Sequence, residues 1–182
     1  MSMNRREFLG AGVAAAAVLP GLNLIELAAA RAPDEAVTAL HRWGLLVDAT
    51  QCVDSCNACV TACHDYNGVT GVGNPATDAQ WIRKVTLKNK LTGHVTNLPL
   101  MCVHCEEPPC VDVCPTGASF RREDGIVLVD RHICIGCRYC MMACPYKARS
   151  FVHEPHDDQV SDNPRGKGCV ESCTRCVNKV DR

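Results

Sequence analysis

Aromatic side chains are scarce in this chain: three Phe, three Tyr and two Trp, 4% of the sequence. At 182 residues it is long enough for one domain with a real core, so something other than packed rings must fill much of that core. Net charge is almost absent, at −1. No strong field of either sign argues for an anionic membrane surface, and no nucleic acid partner is expected. Long apolar runs are missing too. A weakly apolar stretch, Ala11 to Leu19, is broken by Pro20 and Gly21 and is too short to span a bilayer as a helix. No glycine-rich phosphate loop, serine elbow or paired-carboxylate motif stands out, so no catalytic residue is assigned.

What the chain has in excess is cysteine: 15 residues in four tight blocks. The second block is Cys102, Cys105, Cys110 and Cys114, followed by Pro115. The third is Cys134, Cys137, Cys140 and Cys144, followed by Pro145, and reads C-x2-C-x2-C-x3-C-P. That is the bacterial iron–sulfur run, in which three cysteines hold one cluster and the cysteine before proline ligates the neighbouring one. Applied to both blocks, the rule predicts one cluster on Cys102, Cys105, Cys110 and Cys144. It predicts a second on Cys134, Cys137, Cys140 and Cys114. Four cysteines each make both [4Fe-4S]. The fourth cysteine of each block is expected to open a helix, with the proline in its first turn. Metal sites formed only on folding add their binding energy to folding, which answers the shortage of aromatic core.

The outer blocks are less regular. Cys52, Cys56, Cys59 and Cys63 are spaced x3, x2, x3; Cys169, Cys173 and Cys176 come shortly before the end at Arg182. Two further four-cysteine clusters would need eight ligands, and these blocks give seven. Three alternatives follow: a three-coordinate cluster, a non-cysteine ligand, or a chain that stops before its last ligands. Zinc is disfavoured because it uses two close cysteine pairs per ion, not triplets plus one before proline. The odd count and the C-x2-C spacing argue against disulfides.

The N-terminus, Asn4-Arg5-Arg6-Glu7-Phe8-Leu9, resembles a twin-arginine export signal, and Ala28-Ala29-Ala30 suits a cleavage site. Residues 1–30 are therefore expected to be a signal, 31–44 a linker and 45–182 the cluster-bearing domain. Export of an already folded protein would let clusters assemble on thiolates in the reducing cytosol. The expected location is periplasmic, held at the membrane through a partner.

Cys102 to Pro115, with Pro108-Pro109 inside it, and Cys137-Arg138-Tyr139-Cys140-Met141-Met142-Ala143-Cys144-Pro145-Tyr146 resemble the second and third blocks of four-cluster ferredoxin subunits. These serve formate-dependent nitrite reduction, hydrogenase-2 and the Dsr sulfur-metabolism membrane complex; dimethyl sulfoxide and tetrathionate reductases have similar beta subunits. The resemblance spans Leu45 to Arg182 and looks greatest to the Dsr-type ferredoxin. It matches Cys173 and Cys176 to the start of a fourth block whose last two cysteines are absent here, and leaves Cys169 unmatched, an expected unligated thiol. The chain is accordingly expected to be truncated at its C-terminus. The resemblance implies a third cluster on Cys52, Cys56 and Cys59 and a fourth on Cys63, Cys173 and Cys176, each short of one ligand. That makes up to four clusters in a full-length protein. It also implies partners: a multi-helix membrane quinone-reactive subunit at one end, and a molybdoenzyme, hydrogenase or multihaem cytochrome in the periplasm at the other.

The expected fold is α+β: tandem ferredoxin-like modules of short helices and β-hairpins around cubane clusters, with a hairpin insertion. Leu45 to Val47 reads as a short buried strand. Trp81–Lys88 and Val95–Leu98 read as an inserted hairpin, and Ser119–Arg122 with Ile126–Val129 as a second one about Glu123-Asp124-Gly125. Ser150–His153 reads as a strand, and 67–78 and 156–167 as loops. Met141 and Met142 are expected in the core. His104, between two ligands, is expected to be a solvated loop residue. Arg121, Arg122, Arg131, Lys147 and Arg149 are expected on a charged, solvated face. The function expected is relay of single electrons, without catalysis by the chain alone. The alternative is a self-contained reductase acting on a small substrate at one of the irregular clusters.

Overall fold

The computed structural model describes residues 36–181. The expected export signal and the first part of the linker lie outside the described residues. Leu45, Leu46 and Val47 form no strand and are 60%, 93% and 43% exposed. Among the described residues the three apolar residues have no strand to pair with, and an unpaired strand cannot satisfy its own backbone.

The first regular helix, α1 (Ala58–Asn67), carries Cys59 and Cys63. It stops at Gly68, whose left-handed φ of 63° lets the chain turn back. Val69, Ala79 and Trp81 then form a small core against Cys63. The inserted hairpin follows as β1 (Ile82–Lys88) and β2 (Val95–Met101), antiparallel, with Ile82 opposite Met101. It latches the first cysteine block by polar contacts. Asn97 Nδ2 donates to Asp54 Oδ1 at 2.6 Å, and Lys84 Nζ donates to the Val53 and Asp54 carbonyls.

Two segments, each a short helix followed by a small antiparallel hairpin, complete the fold. The first runs from α2 (Pro109–Asp112) to a hairpin of β3 (Ser119–Arg121) and β4 (Val127–Val129). The second runs from α3 (Tyr139–Ala143) to β5 (Arg149–Phe151), paired with β6 (Val170–Ser172). A one-turn helix, α4 (Val177–Val180), follows the last cysteines. The helices α2 and α3 pack on each other, and so do β4 and β6. Their shared core is Cys110, Val127, Cys140 and Val170, with Val111, Cys134, Met141 and Phe151 at its edge. Met141 packs there as expected, but Met142 is 65% exposed.

The fourth cysteine of each block does not open a helix. The third cysteines, Cys110 and Cys140, sit inside α2 and α3, and Cys114 and Cys144 lie just beyond the helix ends. Proline disfavours helical geometry in the residue before it, and Cys144 is accordingly extended, at φ −72° and ψ 114°. The proline therefore ends the helix and aims the fourth thiol away from it.

Strand β6, like the helices α1 and α4, was not read from the sequence. It closes the second hairpin only after a long excursion from β5, and its central residue is a buried glutamate. Arg165 meets Glu171 there through Nε (3.1 Å to both oxygens) and Nη2 (2.6 Å), while Nη1 donates to the Gly68 carbonyl at 3.0 Å. One buried ion pair thus sews the first block's exit loop to the last strand.

Candidate metal centres

Both inner blocks wrap a pocket, and each pocket draws on both blocks. The first is lined by Cys102, Cys105, Cys110 and Cys144, with Val103, Val127, Tyr146 and Arg149 among its other walls. The second is lined by Cys114, Cys134, Cys137 and Cys140, with Ser119, Gly136 and Arg138 among its other walls. These are the two sets the spacing predicted, with each pre-proline cysteine crossed over. The crossing follows from the packing of α2 on α3, which brings each helix's trailing thiol to the other block's loop. All 15 cysteines are free thiols.

The loops present backbone N–H groups to sulfur. Ser119 N–H points at Cys114 Sγ (3.4 Å) and Ala148 N–H at Cys144 Sγ (3.5 Å). Val170 N–H points at Cys134 Sγ (3.5 Å) and Arg175 N–H at Cys173 Sγ (3.4 Å). Left-handed residues turn the C-x2-C loops that begin at Cys102, Cys134 and Cys173: His104 at φ 50°, Gly136 at 69° and Arg175 at 55°; the Cys56–Cys59 loop has none. At Gly136 an added Cβ would run into the Gly168 carbonyl, so only glycine fits. The recurrence of this turn at Arg175 agrees with Cys173 and Cys176 as the start of a block.

Burial dominates the thiols inside. It raises Cys102 and Cys110, against hydrogen bonding from His104 N–H at Cys102 and the positive charge of Arg149 at both. Burial pushes Cys173 up to about 11. At Cys114 burial also raises the thiol but is outweighed by hydrogen bonds from Ser119, Thr116 and Ala118, which bring it down to about 7. Metal binding must therefore displace protons at Cys102, Cys110 and Cys173 and meets a more acidic thiol at Cys114.

Among the described residues, no three His, Cys, Asp or Glu side chains converge as they would on one metal ion. The inner thiols stand instead around voids. A void with four sulfur donors, N–H groups aimed at sulfur and a buried unpaired guanidinium fits a multi-iron sulfide cluster, which is large, anionic and held by thiolates. The guanidinium is that of Arg149, only 4% exposed rather than on a solvated face.

His104 is also misplaced by sequence reasoning, being 3% exposed. Its Nδ1 accepts the Val127 N–H at 2.9 Å, which leaves the proton on Nε2. Burial, with help from the charges of Arg175 and Arg149, holds it down to about 4, so the ring stays neutral. The signal available in the sequence was its position: a residue inside a C-x2-C loop faces whatever the loop wraps.

The outer cysteines come together in part. Burial raises Cys63, and the charge of nearby Cys176 raises it further; Cys173 feels both Cys63 and Cys176. Cys63, Cys173 and Cys176 are thus neighbours. Cys56 and Cys59 are exposed and Cys52 half-buried. Cys169 lies outside both inner pockets, with its thiol donating to the Arg131 carbonyl at 3.2 Å.

Comparison with known proteins adds to this geometry. Residues 93–182 match one family described as a 4Fe-4S dicluster domain, and residues 51–118 match another of the same description. The chain is 41% identical to the Hdr-like menaquinol oxidoreductase iron-sulfur subunit 1 of Archaeoglobus fulgidus, over 98% of the chain and 75% of that protein. It is 36% identical to a subunit of the tetrathionate reductase of Salmonella typhimurium, over 100% of the chain and 67% of that protein. Against a subunit of the anaerobic dimethyl sulfoxide reductase of Escherichia coli it is 38% identical, over 76% of the chain and 63% of the relative.

Proposed function

This protein belongs to the family of iron–sulfur electron-transfer subunits built from 4Fe-4S dicluster domains, and on that premise we propose how its cysteines divide the work. It binds [4Fe-4S] clusters and relays electrons. One cluster is held by Cys102, Cys105, Cys110 and Cys144, and one by Cys134, Cys137, Cys140 and Cys114. The observation that carries this reading is the crossed lining of the two pockets. Cys63, Cys173 and Cys176 supply thiols to a third site, and Cys52, Cys56 and Cys59 to a fourth.

When bound, such clusters accept and return one electron at a time, at potentials set by charge, hydrogen bonding and exposure. The chain's own contribution is to hold and order them. Cys110 and Cys140 share one core, so the two inner sites have a common wall. The electrostatic influence of Cys173 on Cys102, and of Cys59 on Cys63, supports an order in which the third site lies beside the first and the first block beyond it. The sites therefore form a row, from the Cys134 loop through the Cys102 loop and Cys63 to the exposed cysteines of the first block.

A row implies a partner at each end. Among the described residues no helix is long and apolar enough to cross a membrane. A multi-helix quinone-reactive subunit is the partner proposed at one end, in keeping with the menaquinol oxidoreductase relative. A periplasmic redox subunit (a molybdoenzyme, hydrogenase or multihaem cytochrome) is proposed at the other. The Arg5-Arg6 motif supports export in the folded state; replacing both arginines with lysine is expected to leave the protein in the cytoplasmic fraction.

The test of the cluster assignment is iron and acid-labile sulfide per chain, on protein purified without oxygen. At least about eight irons are expected from the inner pair. A count near zero, or zinc in place of iron, would overturn it.

A further inference from the structure

From the third cysteine onward the two inner sites repeat each other in backbone, and among the side chains that differ between them two stand out. Thirty residues separate Cys110 from Cys140, Cys114 from Cys144 and β3 from β5. In the same register Ser119 corresponds to Arg149, each at the start of its strand. Ser119 lines the Cys134 pocket, and Arg149 lines the Cys102 pocket. At the turn inside C-x2-C, His104 corresponds to Gly136. The Cys102 site thus has a guanidinium and an imidazole where the Cys134 site has a hydroxyl and a hydrogen atom.

The buried charge among these differences is that of Arg149. Its Nη1 donates to Ser119 Oγ at 2.6 Å, across the pseudo-symmetric contact of the two copies. Its Nε and Nη2 are buried and have no hydrogen-bond partner among the described residues, and no carboxylate among them pairs with it. An arginine cannot shed its proton to escape this situation. A buried charge left without a partner is strongly destabilising, so its placement on the wall of a four-thiol pocket calls for an anion inside that pocket.

We propose that Arg149 is the redox-tuning residue of the inner pair: its charge favours the reduced state at the Cys102–Cys105–Cys110–Cys144 site and makes that site the preferred seat of the electron. This rests on the reading of the two pockets as cluster sites. The step involves one electron leaving the Cys134 site and arriving at the Cys102 site; no bond changes and no proton moves. Reduction adds one negative charge beside a fixed positive one in a dry setting, where screening by solvent is weakest. The serine at the equivalent position offers the other site no buried charge; the guanidinium on that site's wall, Arg138, is exposed and lies over the Phe151 ring, where solvent screens it. The repeat is symmetric in its ligands and asymmetric in its potentials, and a relay needs that asymmetry to give transfer a direction.

The experiment is an anaerobic redox titration by electron paramagnetic resonance on the full chain, with iron and sulfide counted first, for the wild type, Arg149→Gln and Arg149→Lys. Arg149→Gln is expected to keep its iron and to lower one inner midpoint by at least tenfold in the electron's partition, about 59 mV for one electron. Arg149→Lys is expected to retain most of the wild-type value. Unchanged midpoints in an iron-replete Arg149→Gln protein would overturn the proposal while leaving the clusters in place. If Arg149→Gln loses iron, the wild-type ranking decides. Cys105→Ser must then remove or shift the higher of the two inner midpoints, and Cys137→Ser the lower; the opposite ranking overturns the proposal. A wild-type chain with well under about eight irons would reject the cluster reading itself.

Discussion

Cys110 and Cys140 are each 7% exposed and stand in the central core, whereas Cys56 and Cys59 of the first block lie open to solvent. The spacing of the blocks is similar, so the difference comes from what surrounds them. Each inner loop is followed by a hairpin, and the two units press α2 against α3. The first block has one helix and a polar latch to the inserted hairpin. Only Cys63, at the inner side of α1, reaches the Trp81 core. Enclosure therefore follows the packed helix-and-hairpin segments rather than the cysteine spacing. It separates thiols that are part of the fold from thiols presented at its edge.

The sharpest way to break this comparison is to substitute one cysteine of each kind. Cys140→Ser alters a side chain shared by a pocket wall and the core. It is expected to remove about four irons per chain and to abolish cooperative unfolding, since cluster binding here is part of folding. Cys56→Ser is expected to leave the folded core intact by near-ultraviolet circular dichroism, whatever iron it loses. Equal loss of structure in the two variants would show that enclosure is not what distinguishes them.

A smaller effect is expected at the seam between the two regions. Arg165 and Glu171 have side chains 2% and 0% exposed, and Arg165 also holds the Gly68 and Thr70 carbonyls of the first block's exit loop. Arg165→Met leaves a buried carboxylate unpaired and is expected to cost about 3–5 kcal/mol. The double variant Arg165→Met with Glu171→Leu should recover much of that loss, because an apolar pair of similar volume is often as stable as a buried ion pair. The check is the unfolding midpoint of the iron-loaded chain. If the double variant is worse than the single one, the seam depends on the backbone carbonyl contacts rather than on the ion pair.

Much of this molecule was legible in its cysteines and turn residues. The crossed sets of the inner pockets follow from C-x3-C-P, because proline stops the helix and frees the fourth thiol. The hairpin about Glu123-Asp124-Gly125 follows from a turn flanked by apolar residues. What escaped depends on residues distant in sequence. Val170-Glu171-Ser172 does not read as a strand, because Glu171 is tolerable in the interior only once Arg165 meets it. Arg149 and His104 read as solvated because their neighbours, Ser119 and Val127, lie in another copy or another strand. Leu45 to Val47 misled in the opposite direction: local apolarity suggested burial, yet no strand pairs with them.

Cys169 marks the boundary between thiols that belong to the sites and those that belong to the scaffold, and here the expected effect is smallest. It is 9% exposed, it precedes β6, and its thiol donates to the Arg131 carbonyl at 3.2 Å. It sits close enough to Cys134 for that neighbour to raise its pKa further, although burial is the larger cause. Yet it is absent from the linings of both inner pockets, and no left-handed turn follows it within a C-x2-C loop. Cys169→Ala is therefore expected to leave iron and sulfide unchanged and to cost about 1 kcal/mol, the net worth of one hydrogen bond. A drop of about four irons would instead make Cys169 a ligand, and the Cys134 site would then draw on the last block as well as the two inner ones.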